Sequence, residues 1–99
     1  MIVITGTVRI PVGTLDRVRP AMRAMVDASR AEMGCLHYAY GEDVLEPGLI
    51  WVSESWRDQA ALDAHATSAH MKTWRGAGAE LGLHDRNLTL YQVASSKAL

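Results

Sequence analysis

The chain has 99 residues, of which 48% are hydrophobic and 21% charged, with ten basic and eleven acidic side chains. That length predicts a single domain over residues 1–99, and the apolar share excludes a disordered chain. The formal net charge is −1, so the chain lacks the excess of Lys and Arg that nucleic-acid binding requires. We therefore expect no nucleic-acid partner.

The cysteine content and the apolar runs bear on cellular location. Cys35 is the one cysteine, so an internal disulfide and a Cys-x-x-Cys motif are excluded, and we interpret it as a small buried apolar residue. No apolar run approaches the roughly 18 residues needed to span a membrane. The first residues, Met1–Thr5, are typical of a strand rather than a signal peptide. We therefore expect a soluble, cytoplasmic protein with no membrane partner.

The first third of the chain predicts a strand, a helix and a second strand. Apolar residues alternate from Ile2 to Ile10, which is typical of a half-buried strand. A period of three to four residues then indicates an amphipathic helix over residues 14–33. Pro20 predicts a late start or a kink in that helix, and Gly34 is expected to end it. The alternation resumes after Gly34, with Leu36, Tyr38 and Tyr40 on one face.

The rest of the chain predicts a strand, an interrupted helix and a last strand. A polar loop ends in Pro47-Gly48, which is typical of a type II turn, and residues 49–56 form the returning strand of a hairpin. Asp58 is predicted to cap a second helix. Thr67-Ser68 is one point at which that helix could break, and Ser68 would then cap a further helical stretch. The last strand contains Leu88, Leu90 and Tyr91 to Val93.

The predicted order of elements is strand, helix, strand, strand, helix, strand. This order predicts an α+β fold of the ferredoxin-like type, βαββαβ with an antiparallel sheet. Helices would cover only one face of the sheet, so the other face is expected to expose apolar side chains. Because Ile and Val occupy both registers of the first and third strands, a homodimer closed through the sheets is the simplest solution.

Three motifs follow one another along the chain at characteristic distances. They are Glu32-Met33-Gly34-Cys35-Leu36-His37-Tyr38, then Ser53-Glu54-Ser55-Trp56-Arg57-Asp58, then His65-Ala66-Thr67-Ser68-Ala69-His70-Met71-Lys72-Thr73-Trp74. Together they resemble the antibiotic biosynthesis monooxygenase family. The resemblance implies a dimeric α/β barrel. It also implies an oxygenase that acts with O2 on quinols, anthrone-like polyketides or related electron-rich aromatics, without metal, flavin or haem.

Cofactor-free oxygenation requires a base that ionises the substrate, donors that hold the resulting anion, and a dry apolar cavity. Histidine is the usual base because its pKa lies near neutrality, so His65 and His70 are the catalytic candidates. His70 and Trp74 are four residues apart and share a helix face, which predicts Trp74 as the aromatic wall of a pocket. The predicted substrate-binding residues are Tyr38, Glu54, Trp56 and Met71.

Each candidate also has a purely structural interpretation. His70 could face solvent, His65 could be a hydrogen-bonded imidazole that packs its helix on the sheet, and Trp74 could belong to the core. A buried Glu54 must be paired, and a salt bridge between strands or across the dimer would satisfy it. The candidate partners are Arg9, Arg57, Arg75 and Arg86.

His65, His70 and Glu54 also have the composition of a two-His-one-carboxylate metal site. Five residues along a continuous helix turn two side chains roughly 140° apart. Only a break near Ser68 would bring the two imidazoles together. We therefore expect no metal, and the family resemblance implies no other cofactor.

Two other functions remain as alternatives. The first is a small-molecule-binding or stress-response dimer of the same fold, which a pocket packed solid by Trp74 and Met71 would favour. The second is haem binding or degradation. The haem-degrading branch that resembles this domain carries an Asn on its first strand, and Thr5-Gly6-Thr7-Val8 contains none, which counts against haem.

Overall fold

The computed structural model describes residues 1–99 and contains one four-stranded sheet. Its strands are β1 (Ile2–Arg9), β2 (Cys35–Glu42), β3 (Leu49–Trp56) and β4 (His84–Gln92). They lie in the order β2-β3-β1-β4, and every pairing is antiparallel. The chain begins in the centre of this sheet, where β1 lies between β3 and β4.

Three helices connect the strands. They are α1 (Leu15–Arg30), α2 (Gln59–Ala66) and α3 (Ala69–Leu81), and the element order is β1-α1-β2-β3-α2-α3-β4. The prediction of an α+β, ferredoxin-like fold with an antiparallel sheet is therefore confirmed. None of these helices combines the length and the apolar character that crossing a membrane requires.

Two details of α1 differ from the sequence prediction. The helix begins at Leu15 and includes Pro20, so it has no late start. It ends at Arg30, and Gly34 lies beyond it in the turn to β2 with a φ of +86°. A Cβ on Gly34 would come within 2.6 Å of the Cβ of Ala61. Glycine is needed there both for the left-handed backbone and for the close approach of α2.

Side-chain caps separate α2 from α3, as predicted. The Asp58 carboxylate accepts a hydrogen bond from the Ala61 N–H at 2.9 Å and starts α2. The Ser68 hydroxyl oxygen accepts from the Met71 N–H at 3.2 Å and starts α3, while the Ser68 backbone is extended with φ −67° and ψ 157°. The break in the helix therefore falls at Thr67-Ser68, between His65 and His70.

A bulge in β2 changes which residues share the face that packs against the helices. Leu36 has no partner in the pairing of β2 with β3, and its side chain is 57% exposed. Cys35 takes its place on the face of Tyr38 and Tyr40. The predicted grouping of Leu36 with the two tyrosines is therefore wrong, because the extra residue shifts the alternation. His37 lies on the opposite face, as predicted.

The core fills the space between one sheet face and the helices in two clusters. Both clusters contact Tyr40 and Trp74, which lie between them and are only partly buried. The first cluster contains Val8, Ile10, Val18, Met22, Ile50 and Val52. The second contains Ile2, Met25, Tyr38, Trp56 and Ala61.

The other face of the sheet has no helix over it. Side chains alternate between the two faces of a strand, so the register places Trp51 and Tyr91 on this uncovered face. They are 49% and 52% exposed. The expectation of exposed apolar side chains on the second face is confirmed at these two positions.

Candidate functional site

A pocket of about 500 Å³ lies between the helix-covered face of the sheet and α3. This volume is within the range of sites that hold small organic ligands. All four strands contribute to its walls, and Trp74 and Met71 line it without filling it. The predicted site residues on its walls are Tyr38, Glu54, His65, Met71 and Trp74.

An aromatic pair forms one side of the pocket. The rings of Tyr40 and Trp74 are stacked, with centroids 5.6 Å apart and an interplanar angle of 17°. The hydroxyl oxygens of Tyr38 and Tyr40 are 2.7 Å apart. Burial is the main cause that raises the pKa of both phenols, so both hydroxyls stay protonated. One of them donates to the other, which leaves one O–H available to a ligand.

His65 is the buried histidine on the pocket wall, close to these aromatic rings. It is 3% exposed, and its Nδ1 is 2.9 Å from Oε2 of Glu32. An ionised carboxylate only accepts hydrogen bonds, so Nδ1 carries the proton and Nε2 keeps its lone pair. Nε2 makes no hydrogen bond within the chain. The geometry therefore supplies an imidazole that is oriented by Glu32 and free to accept a proton from a ligand.

Burial and charge act on His65 in opposite directions. Desolvation, the largest effect, lowers the pKa of His65 below its ordinary value of 6.5, while the negative charge of Glu32 raises it. The net effect is a lowered pKa. At neutral pH the imidazole is therefore neutral, as a general base requires.

His70 contacts the other oxygen of the same carboxylate. Its Nε2 is 2.7 Å from Oε1 of Glu32, but the contact lacks hydrogen-bond geometry and this nitrogen has no other partner. The rings of His65 and His70 are 5.7 Å apart because the chain breaks at Ser68 between them. His70 does not line the pocket, so it and Trp74 do not form the common wall expected from their spacing.

Glu32, His65 and His70 are also the residues that could hold a metal ion. Their ligand atoms all lie within 4.8 Å of one another, and two imidazoles with one carboxylate suit divalent transition metals. The carboxylate is Glu32, whereas the alternative considered from the sequence used Glu54. The break at Ser68, which that alternative required, is present and brings the two imidazoles together. The same contacts also orient His65 as a base.

Glu54 lines the pocket and is 7% exposed; with His65 it forms the buried part of the wall, which we call the inner end. One of its oxygens accepts a hydrogen bond of 3.0 Å from the indole Nε1–H of Trp56. Burial raises the pKa of Glu54, and the charge of Arg86 opposes this. No arginine comes within ion-pair distance within the chain, so the predicted inter-strand salt bridge is wrong. Trp56 is fully buried and does not line the pocket. It holds the Glu54 carboxyl group in place through this hydrogen bond.

Glu32 is a site residue that the sequence pattern did not indicate. In the sequence it occurs only as part of a motif, and its contact with His65 joins residues 33 positions apart. Local periodicity carries no information at that separation. The basic side chains Arg75 and Arg86 were considered only as partners for Glu54, whereas both line the pocket.

The fold and the pocket define a class of protein: an α+β domain with an aromatic-walled cavity between its sheet and its last helix, and a buried imidazole on the cavity wall. A family model described as antibiotic biosynthesis monooxygenase matches residues 1–77. The chain belongs to that family, and the resemblance seen in the three motifs is confirmed.

The chain is also similar to individual proteins and solved structures. The Bacillus subtilis protein named "Putative monooxygenase YcnE" is 30% identical over 81 residues, which is 82% of this chain and 85% of the relative. A Deinococcus radiodurans structure described as a "putative antibiotic biosynthesis monooxygenase" has a TM-score of 0.90, with 24% identity over 100% of this chain and 98% of that one. PA3566 of Pseudomonas aeruginosa has a TM-score of 0.77, with 29% identity over 97% and 94% of the two chains.

Proposed function

We propose that this protein is a monooxygenase that uses O2 to oxidise an electron-rich aromatic substrate, such as a hydroquinone or an anthrone, without metal or flavin. The observation that carries the proposal is the buried, neutral His65, oriented by Glu32 at the wall of an aromatic pocket. Membership of the monooxygenase family and the name of the Bacillus subtilis relative support it.

The substrate ring stacks against Trp74, which offers a flat apolar face. A phenolic or enolic O–H then points at Nε2 of His65, which accepts its proton. The free tyrosine O–H of the Tyr38–Tyr40 pair donates a hydrogen bond to the oxygen that becomes negative. The apolar walls exclude water and strengthen these interactions.

The ionised substrate is the reductant. It passes an electron to O2, and the two radicals combine to a peroxide that loses water. For a hydroquinone the balance is hydroquinone plus O2 giving hydroxyquinone plus water, with all four electrons drawn from the substrate. One oxygen atom enters the product and the other leaves as water, so the reaction needs no separate reductant.

Oxygen uptake by chelator-treated protein, measured over a panel of hydroquinones and anthrones, tests the proposal. We expect uptake above autoxidation with the wild type and a loss on the order of 10²–10⁴-fold in His65→Gln. Lys72→Gln, exposed on α3 and outside the pocket, is the control and should keep full activity. Uptake by none of the substrates would contradict turnover and favour a binding protein. Activity that needs an added metal would contradict the cofactor-free mechanism.

We also propose that two copies pair through the uncovered sheet face. Trp51 and Tyr91 are large, half-exposed side chains on that face, and a second copy would remove them from water. Light scattering should give twice the chain mass for the wild type and a shift towards the monomer for Trp51→Glu. A monomeric wild type would contradict the pairing.

A further inference from the structure

Basic side chains line the outer part of the pocket. Arg75 on α3, with His84 and Arg86 on β4, contributes to its walls, and all three are exposed. Neither guanidinium has a carboxylate within ion-pair distance. Most other arginines do have such a partner: Arg9, Arg19, Arg23 and Arg57.

The backbone and the fold hold the two guanidiniums at the same pocket. Nη2 of Arg75 donates a hydrogen bond of 3.0 Å to the carbonyl oxygen of Ala66, the last residue of α2. This bond uses one of the five N–H donors of the guanidinium and leaves the others free. Arg86 approaches from the sheet, and its charge acts on Glu54 inside the pocket. Two positive groups from different elements therefore flank one cavity.

Charge changes sign along the pocket. The carboxyl group of Glu54 lies at the inner end, and that of Glu32 lies behind His65, so the inner end disfavours an anion. The outer part carries the unpaired positive charges of Arg75 and Arg86. A ligand with one negative substituent would therefore lie with that substituent towards the outside and its neutral ring towards His65.

We infer that the ligand is an aromatic that carries a carboxylate, bound by the guanidiniums of Arg75 and Arg86 while its ring stacks on Trp74. The planar, forked donors of arginine match a carboxylate, and a cavity of about 500 Å³ accommodates two or three fused rings. The carboxylate fixes which edge of the ring system faces His65. This inference rests on the proposed function for the phenolic character of the substrate, but the anion subsite stands on its own geometry.

A pair of stable ligands of equal shape tests the subsite without turnover. Anthraquinone-2-carboxylate carries the anion, and anthraquinone-2-carboxamide lacks it, while both are already oxidised. We expect titration calorimetry to give a dissociation constant about tenfold lower for the carboxylate. Arg75→Gln and Arg86→Gln should each reduce this preference about threefold, and the double variant should abolish it.

Arg17→Gln is the matched control, because Arg17 is exposed on α1 and lies outside the pocket. It removes the same charge and should keep the full preference. Equal binding of the two ligands by the wild type, or an equal loss in Arg17→Gln and Arg86→Gln, would overturn the inference. The two anthraquinones are not oxidised further, so their binding does not depend on turnover. Absence of oxygen uptake in the separate assay with hydroquinones and anthrones would refute the proposed function and leave the subsite intact.

Discussion

The two ends of the pocket differ in exposure and in how their polar groups are held. At the inner end, His65 and Glu54 are 3% and 7% exposed, and each has a hydrogen-bond partner inside the protein. At the outer end, Arg75 and Arg86 are exposed and have no carboxylate partner. Burial shifts pKa values and fixes orientation, whereas exposed charged side chains stay accessible to a ligand arriving from solution. We therefore assign the chemistry to the inner end and ligand selection to the outer end.

Among the variants that keep His65, the one that removes the charge of Glu32 should have the largest effect. In Glu32→Gln the amide can donate as well as accept, so Nδ1 of His65 is no longer forced to carry the proton. We expect the turnover number to fall on the order of 10²-fold. The exposed Glu80→Gln on α3 is the control and should leave turnover unchanged.

The same variant has a defined effect on pH dependence. A base must be neutral, so activity rises with pH through the pKa of His65, which lies below 6.5. The charge of Glu32 raises that pKa, and its removal should move the acidic limb of the kcat/KM profile to lower pH. An acidic limb that stays in place or moves to higher pH would assign the base to another group.

Shortening Trp74 should have a smaller effect, on binding. Trp74→Ala removes the ring that stacks on Tyr40 and on the substrate, and we expect KM to rise about tenfold with kcat changed little. Trp74→Phe keeps an aromatic face and should recover most of the affinity. If Trp74 served only the core, Trp74→Ala would lower the melting temperature and leave KM unchanged.

Glu54→Gln should give the smallest effect, on stability. The pKa of Glu54 is raised above 4.5 in the fold, so the unfolded chain loses this proton first as pH rises. The free energy of unfolding of the wild type therefore falls as pH rises from 4.5 through the raised pKa of Glu54. The variant has no proton to lose at this position, so it lacks that decrease. The melting temperature of the variant relative to wild type should be higher at pH 8 than at about pH 4. For Glu80→Gln, the melting temperature relative to wild type should be the same at both pH values. If Glu54→Gln also showed no change with pH, Glu54 would be solvated in the folded protein.

Much of the fold followed from local signals in the sequence. Asp58 and Ser68 were recognisable as caps because their side chains act within three residues, and they place the helix break correctly. The bulge at Leu36 was not predictable, because one extra residue leaves the alternation of apolar and polar residues outwardly intact. The starts of these helices thus depend on residues adjacent in sequence, whereas the register of β2 depends on its pairing with β3, which is distant in sequence.

The candidate site was predictable only in part. Trp74, Met71, Tyr38 and Glu54 line the pocket, as residue type and spacing suggested. The choice between His65 and His70 could not be made from a helical period, because it depends on the break at Ser68 and on Glu32 from a distant turn. Such a contact forms only in the folded chain.

Reaction under ¹⁸O2 tests the central claim, oxygen insertion by this pocket, most directly. A substrate that supports uptake is oxidised by chelator-treated wild-type protein, and the product is analysed by mass spectrometry. We expect one ¹⁸O atom in the product and the other in water. His65→Gln should form no labelled product above background. A product without ¹⁸O, formed together with hydrogen peroxide, would contradict oxygen insertion and show an oxidase.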